Sequence, residues 1–214
     1  MALSKVDYNS LNVTAAASKA LKWNASADGF ETGDVAGAMV LLETQTASGD
    51  GTIDLTSGID STYKEYIIKL YDVHPATDDT HFTMQFNAAG ASGFNETITS
   101  THFKSTHGED DTSAELGYDA YSDQAQGTGY QRLSQPVGNG NDECLAGTIH
   151  LFDPSSTTFV KHFISRVVYY YPTNQAHEVY VAGYVNTTTA IDEVSFKFVS
   201  GDIDAGTFKL YGVT

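Results

Sequence analysis

Short stretches in which apolar and polar side chains alternate recur along most of this chain, and turn-forming residues separate them. In His81–Asn87, Phe82, Met84 and Phe86 fall on one side and polar residues on the other. A two-residue period places successive side chains on opposite faces of a strand, so this run predicts a half-buried β-strand. No stretch of twelve or more residues sustains the 3.6-residue period of an amphipathic helix. The pattern therefore predicts an all-β fold.

Many short strands separated by Gly, Asn and Asp turns are typical of an antiparallel β-sandwich, and we expect a jelly roll. The last two strands carry alternating Phe196 and Phe198, then Phe208 and Leu210, around the turn at Gly201, and this spacing predicts a hairpin. The predicted strands cover residues 35–46, 52–55, 63–73, 81–87, 96–104, 129–136, 144–152, 158–171, 178–186, 191–200 and 206–213.

The weakly patterned residues Ser105–Gln126 predict a long surface excursion between two strands. An irregular polar stretch cannot satisfy its backbone groups in a core, so we expect an exposed surface that extends to Gln135. Exposed tyrosines suit contact with a sugar or a protein, since they are rigid and amphipathic. The predicted contact residues are Tyr118, Tyr121 and Tyr130, with a charged rim of Glu109, Asp110 and Asp111.

Acidic residues outnumber Lys and Arg by 27 to 11, which gives a formal net charge of -16. This balance argues against binding to nucleic acid or to anionic lipid, because both require a basic surface. No run approaches the roughly 18 apolar residues of a membrane span. The first residues lack the apolar core of a secretory signal, so we expect synthesis in a cytoplasm without export. The single cysteine, Cys144, cannot form an internal disulfide and is predicted to be a small buried hydrophobe.

Sequence motifs for catalysis or metal binding are lacking. The seven histidines show no paired ligand spacing, and those on strands are expected to be exposed or hydrogen-bonded. Asp50–Asp54 resembles the start of a calcium loop, but Leu55 and Ser61 occupy the positions of the required Gly and Glu. We therefore expect no metal, no cofactor and no catalytic residue. A pair of carboxylates for glycoside hydrolysis stays open, because that geometry is spatial.

Two segments resemble known proteins. In Ala17–Glu31, a Lys-Ala-Leu-Lys-Trp-Asn run precedes Asp28-Gly29 and an aromatic residue beside an acid. It resembles a segment of tail-fibre and virion-appendage proteins of tailed bacteriophages. The ending Gly206–Val213 is similar to the closing strand of jelly-roll heads in phage fibre-like proteins. The resemblance implies an attachment segment at 1–34, in which Leu21, Trp23 and Phe30 make contact, and a head at 35–214.

The resemblance further implies a non-enzymatic structural or adhesive virion protein, either a tail fibre or a capsid fibre or decoration. Its partners would be other virion proteins, two further copies in a homotrimer, and a glycan or protein of the host surface. Two other functions remain open from the residues themselves. One is a carbohydrate-binding sandwich module that uses exposed tyrosines, and the other is a glycan hydrolase.

Overall fold

The computed structural model describes residues 20–33 and 39–214, which contain fifteen strands and no helix. Every pairing between these strands is antiparallel, so the predicted all-β class is confirmed. The chain divides into two units, Met1–Ala38 and Met39–Thr214. The strands are β1 (Ala20–Trp23), β2 (Phe30–Gly33), β3 (Met39–Ala47), β4 (Ile53–Leu55), β5 (Glu65–Pro75), β6 (Thr80–Ala88), β7 (Ile98–Gly108), β8 (Ala114–Tyr118), β9 (Ala125–Gly127), β10 (Gln131–Val137), β11 (Leu145–Phe152), β12 (Lys161–Tyr171), β13 (Gln175–Val185), β14 (Ile191–Phe198) and β15 (Ile203–Val213).

In the first unit, the described residues form one hairpin of β1 and β2. Its turn is closed by the Asn24 amide, which donates to the Gly29 carbonyl at 3.0 Å, and by the Asn24 side chain, which donates to Asp28 at 2.9 Å. Helix propensity predicts a short helical turn over residues 14–21, which are rich in alanine. This prediction is wrong for Ala20 and Leu21, because both pair with β2. Residues 14–19 and the expected domain boundary at 34/35 lie outside the described residues.

The second unit is a sandwich of two sheets. The larger sheet has nine strands in the order β3-β15-β5-β11-β12-β13-β7-β8, with β9 also paired to β7, and the smaller has the order β10-β6-β14-β4. Phe208 of the larger sheet packs on Phe82 and Phe196 of the smaller, with ring centroids 6.2 and 5.4 Å apart. Phe86 and Phe163 meet across the same core at 5.4 Å. The predicted antiparallel β-sandwich is therefore confirmed, and its core lies between the sheets.

Eight strands of the sandwich form a simpler arrangement once two segments of the larger sheet, β7–β9 and β12–β13, are left aside. Without β7–β9 and β12–β13, the remaining orders are β3-β15-β5-β11 and β10-β6-β14-β4, and each sheet takes strands from both halves of the chain. This strand order agrees with two interlocked Greek keys, and the predicted jelly roll stays a prediction. The two inserted segments pair with each other through β7 and β13, and they widen the larger sheet beyond β11.

The predicted hairpin between the last two strands is wrong. β14 pairs with β4 and β6 of the smaller sheet, whereas β15 pairs with β3 and β5 of the larger sheet. The turn at Gly201 therefore carries the chain from one sheet to the other. Phe196 and Phe208 are buried as the alternation indicates, but they face each other across the core. A local pattern specifies which side is apolar and does not specify which strand is the neighbour.

The predicted excursion Ser105–Gln126 is also wrong, because it contains regular strands. β7 continues to Gly108 and pairs with β8, and β9 pairs with the first residues of β7. Here strand pairing satisfies the backbone groups. β8 lies at the sheet edge and is largely exposed, so its side chains need not show an apolar alternation.

β6 departs from the half-buried strand that its sequence predicts. The side chains of Thr83, Gln85 and Asn87, expected to face solvent, are buried. The amide of Gln85 donates to the carbonyls of Glu96 and Thr128 at 3.1 Å and of Gly129 at 2.8 Å. These connecting segments therefore cover the second side of the smaller sheet.

Candidate interaction surface

The side of the larger sheet that faces away from the core, called here the outer face, is rich in exposed apolar side chains. Fifteen large hydrophobic residues are exposed in the described part of the chain, and nine of them belong to this face. Since single exposed hydrophobics are ordinary but clusters are not, this concentration makes the outer face a candidate interaction surface. The nine are Met39, Leu41, Tyr71, Phe103, Leu116, Tyr118, Ile164, Val168 and Tyr180.

One row of side chains crosses the outer face from strand to strand, and we call it the cross-strand row. Lys209 and Lys69 stand at one end, on β15 and β5. Thr148 and Arg166 continue the row on β11 and β12. The other end is aromatic. The members of the row, in order, are Lys209, Lys69, Thr148, Arg166, Tyr180, Phe103 and Tyr118.

Neighbouring groups of this row contact one another. The Arg166 guanidinium lies 5.2 Å from the Tyr180 ring centroid, within the range of a cation–π interaction. Arg166 Nε donates to Glu178, and the Tyr180 hydroxyl donates to the same carboxylate at 3.2 Å. Phe103 and Tyr118 meet edge to face, with centroids 5.3 Å apart and planes at 84°. The contacts with Glu178 raise the pKa of Arg166, so its charge is fixed at all ordinary pH values.

The charge of the outer face differs from that of the whole chain. Between Glu65 and Tyr71 along β5, and on the paired strands, three cations stand against two carboxylates, a formal net charge of +1. Glu178 is bonded to Arg166, and Glu65 lies 2.6 Å from His150 Nδ1. The large acidic excess, -16 over the chain, therefore resides elsewhere, mostly on connecting segments. The cations are Lys69, Arg166 and Lys209, and the carboxylates are Glu65 and Glu178.

A groove of about 810 Å³ lies on the same side of the sheet. Small outward residues, among them Ala146, Ala176 and Ser105, leave the depression between Val168 and Glu178. Most of its exposed surface is apolar, although the carboxylates Glu109, Asp142 and Glu178 also line it, and it extends the outer face toward the turn between β7 and β8. The groove therefore belongs to the apolar surface.

Cys144 lies at the border of this groove and is half-buried, so its predicted full burial is wrong. It precedes β11 and contributes no side chain to the core. Burial and the charge of Asp72 raise the pKa of its thiol, which keeps the thiol protonated at neutral pH. This environment is the opposite of the one that activates a nucleophilic cysteine.

A buried polar layer supports the aromatic end of the cross-strand row from beneath. The Ser100 hydroxyl donates to Gln131 Oε1 at 2.6 Å, and Gln131 Nε2 donates to the carbonyls of Ser122 and Arg132 at 2.8 Å. These bonds join β7 to β10 and to the segment after β8. They therefore fix β7 and the segment after β8 to the smaller sheet.

His102 belongs to this layer and contradicts the expectation for strand histidines, since it is 0% exposed and neither ring nitrogen has a hydrogen bond. Burial lowers its pKa to about 4, although the charge of Asp119, 3.9 Å from Nδ1, acts in the opposite direction. The imidazole is therefore neutral at neutral pH. A ring sealed from solvent cannot reach a substrate, so His102 has a structural place.

The three predicted contact tyrosines occupy different places. Tyr118 lies on the outer face, and its hydroxyl donates to Asp123. Tyr121 is 93% exposed in the turn after β8, where its backbone amide donates to Asp119 at 3.0 Å. Tyr130 is half-buried beside the smaller sheet, since its hydroxyl donates to Ser195 at 3.0 Å and the Lys197 ammonium lies 4.1 Å from its ring centroid. The predicted rim, Glu109, Asp110 and Asp111, is exposed in the turn between β7 and β8.

The three predicted attachment residues share one face of the β1–β2 hairpin. Trp23 pairs with Phe30, and their rings stack with centroids 4.4 Å apart. Leu21 lies two residues from Trp23, on the same side of β1. All three are exposed, Trp23 to 61%. The opposite side carries the Lys22–Glu31 ion pair at 3.4 Å.

Sequence reasoning missed Phe103, Arg166 and Tyr180, together with Lys69 and Lys209. A signal was present in β12, where Ile164 and Val168 make the outward positions as apolar as the inward ones. Such a strand is normally buried on both sides. Here one side is open, and only the structure reveals it.

The described residues contain neither a metal-binding group of side chains nor a membrane-spanning helix. No group of three His, Cys, Asp or Glu side chains there could hold a metal ion. No helix in residues 20–33 and 39–214 is long and apolar enough to span a membrane. No family model, curated protein or solved structure matches the chain. Function must therefore be inferred from the outer face and the hairpin.

Proposed function

We propose that this protein is a non-enzymatic structural and adhesive component of a tailed-bacteriophage virion, and that it acts by surface contact. The outer face is the observation that carries the proposal. Soluble monomers rarely expose a contiguous apolar patch of more than a few hundred Å² unless the patch binds a partner. Nine exposed large hydrophobics on one sheet face, in a chain that is otherwise strongly acidic, fit a protein that is covered in its working state.

The sandwich and the resembling segments support a place in the virion. Jelly rolls form viral capsid and lectin domains, although a fold by itself does not assign a function. The phage-like segment Ala17–Glu31 contains the hairpin with Trp23 and Phe30, and the phage-like ending Gly206–Val213 is part of β15. In this proposal the hairpin attaches the protein to other virion proteins, and the sandwich is the head of a tail fibre or of a capsid fibre or decoration.

A contact function also agrees with the state of the reactive side chains. The Cys144 thiol has a raised pKa, and the His102 ring is sealed from solvent. On the outer face, Glu178 is bonded to Arg166 and Glu65 to His150. A glycan hydrolase instead needs a free pair of carboxyls on both sides of a substrate cleft.

A carbohydrate-binding module is the second candidate, and Tyr121 favours it. This ring is 93% exposed on a turn whose backbone is fixed by Asp119, so it could stack on a host-surface sugar. The aromatic end of the cross-strand row is less suitable. Phe103 and Tyr118 lie at 84° to each other and do not form the flat platform that a sugar chain requires.

The proposal is tested on phage particles that carry the protein. Antibodies against the chain should label purified virions at a fixed position in electron micrographs, and mass spectrometry of the same particles should find the chain. A glycan array probed with the full chain separates the alternatives, since binding without virion labelling would favour the carbohydrate module. Release of sugar products from the array would establish hydrolysis and refute the non-enzymatic assignment.

A further inference from the structure

We propose that the outer face binds a second copy of this chain through a two-fold axis parallel to the strands, between β11 and β12. Lys209 and Lys69 of each copy then lie over Phe103 and Tyr180 of the other. The inference does not depend on the virion assignment, because it rests only on the charge and the register of this sheet. It departs from the homotrimer that the phage resemblance implies.

Charge selects this face for self-association. Two copies of formal charge -16 repel each other, so they can approach closely only through a surface from which the acidic excess is missing. The central part of the outer face, from Glu65 to Tyr71 along β5 and on the paired strands, is such a surface, since Lys69, Arg166 and Lys209 outnumber Glu65 and Glu178 there. A basic partner would instead be attracted to the acidic connecting segments. The charge pattern therefore favours a second copy over a protein of opposite charge.

The cross-strand row is complementary to itself under this rotation. Three of its seven members lie on one side of the axis, on β15, β5 and β11, and three lie opposite them on β12, β13 and β7, with Tyr118 of β8 beyond. The rotation brings Lys209 to Phe103, Lys69 to Tyr180 and Thr148 to Arg166, so cations meet ring faces.

The rows of side chains next to the cross-strand row are also compatible with the two-fold rotation. His150 meets Ile164 in one row, and Glu65 meets Tyr184 in another. In these rows no two like charges are brought together.

The available area matches what a stable pair needs. Six strands at a spacing of about 4.8 Å, each contributing about eight residues at about 3.3 Å, span roughly 750 Å². A stable protein interface buries about 800 Å² on each partner. Packed sheets keep their strand directions within about 30° of each other, so the rows near the axis remain in register.

Sedimentation velocity of the full chain is expected to give twice the mass of one chain at micromolar concentration. In one variant Phe103→Lys and Tyr180→Lys make the aromatic end cationic, and in another Lys69→Glu and Lys209→Glu make the cationic end anionic. Like charges at an interface are strongly unfavourable, so the first variant should associate about 100-fold more weakly and give monomers. The variant with Lys69→Glu and Lys209→Glu should also associate more weakly than the wild type, because its contacts between cations and rings are lost. An equimolar mixture of the two should recover the pair, because the new lysines of one copy face the new glutamates of the other.

Matched controls separate this contact from a general effect of charge. The control for Lys69→Glu with Lys209→Glu is Lys64→Glu with Lys197→Glu, which makes the same charge change away from the outer face. The control for Phe103→Lys with Tyr180→Lys is Tyr121→Lys with Val199→Lys. Both control proteins should remain paired. Melting curves of all four proteins establish that each is folded.

A cross-link provides a second test that needs no charge reversal. In a Cys144→Ser background, Lys209→Cys and Phe103→Cys lie five strands apart within one chain, about 24 Å, too far for a short cross-linker. Packed sheets lie about 10 Å apart, so a bis-maleimide reagent of about that span should join two chains through these positions. A monomeric wild-type chain, a trimeric mass, failure of the mixture to pair, or absence of the cross-link would each overturn the two-fold contact.

Discussion

Individual side chains of the buried polar layer carry the residue-scale properties of this protein. His102 is sealed in the interior with two unpaired ring nitrogens, and His177 is nearly as buried. Tyr169 joins the layer to β10, since its hydroxyl oxygen accepts from the Gln135 amide at 2.8 Å. These groups are polar, but each remains uncharged at neutral pH. Removing a hydrogen-bond partner from this layer, or adding a charge to it, should therefore lower the free energy of unfolding.

We predict that the free energy of unfolding falls as pH drops from about 6.5 to about 4. Burial lowers the pKa of His102 to about 4, so below 6.5 the unfolded chain binds a proton that the folded chain refuses. The full loss attributable to His102 is about 3 kcal/mol. Urea titrations at several pH values measure it. In His102→Phe, the part of the pH dependence of the unfolding free energy that His102 causes should vanish, and stability at pH 7 should not fall. An unchanged pH dependence would assign the effect to other groups such as His177.

We predict opposite outcomes for tyrosines inside and outside the layer. Tyr121→Ala and Tyr118→Ala should change the free energy of unfolding by less than about 0.5 kcal/mol, because both rings are exposed. Tyr169→Phe leaves the buried Gln135 amide without its acceptor and should cost about 1–3 kcal/mol. If Tyr121 binds a host ligand, the same Tyr121→Ala protein should lose that binding while its melting temperature stays constant. A large loss of stability in Tyr121→Ala would contradict its exposed position.

At the scale of elements, the segments β7–β9 and β12–β13 carry much of the outer face. β7 pairs with β13 along eleven residues, and the pair widens the larger sheet by strands that bear Phe103 and Tyr180. The hairpin of β1 and β2 is a second element, and it presents Trp23 beside Phe30. One element therefore supplies the proposed attachment and the other the proposed contact between copies.

We predict that removal of residues 1–34 leaves the sandwich folded with a nearly unchanged melting temperature. Every buried hydrophobic residue of the described core lies between Ala47 and Leu210. The truncated chain should fail to assemble into virions, because the hairpin aromatics would be missing. Trp23→Ala in the full chain is the finer comparison and should reduce assembly in the same direction. Loss of cooperative unfolding on truncation would show that the segment belongs to the core.

The whole molecule combines a strongly acidic surface with one nearly neutral face. The formal charge of -16 keeps copies apart at long range, while the outer face offers contact at short range. Association of two copies should therefore become tighter as the ionic strength rises. Salt screens the repulsion between whole copies, since the screening length falls from about 10 Å at 0.1 M to about 3 Å at 1 M.

We predict that self-association becomes tighter as sodium chloride rises from 50 to 500 mM. The long-range repulsion weakens, and the apolar contacts of Ile164 and Val168 do not depend on salt. Sedimentation equilibrium at the two salt concentrations measures the change in Kd. If pairing became weaker with salt, ion pairs rather than apolar contacts would dominate the interface. The Lys64→Glu, Lys197→Glu control should show a steeper salt dependence than the wild type, because its net charge is more negative.

The sequence by itself determined where most strands of the second unit lie and which of their sides faces the core, although β8 and β9 carry too weak a pattern to be predicted. Phe82, Met84 and Phe86 point into the core as their alternation indicates, because side-chain direction along a strand is a local property. Turn residues such as Gly201 end the strands for an equally local reason, the positive φ that glycine tolerates.

Tertiary structure alone decided which strands are neighbours and which polar sides are covered. β14 and β15 follow each other in the chain but belong to different sheets, and Ser105–Gly108 pairs as a strand despite its weak pattern. The polar side of β6 is buried under distant segments, whereas the apolar side of β12 remains open. Pairing and covering are contacts between residues far apart in sequence, and no local period encodes them.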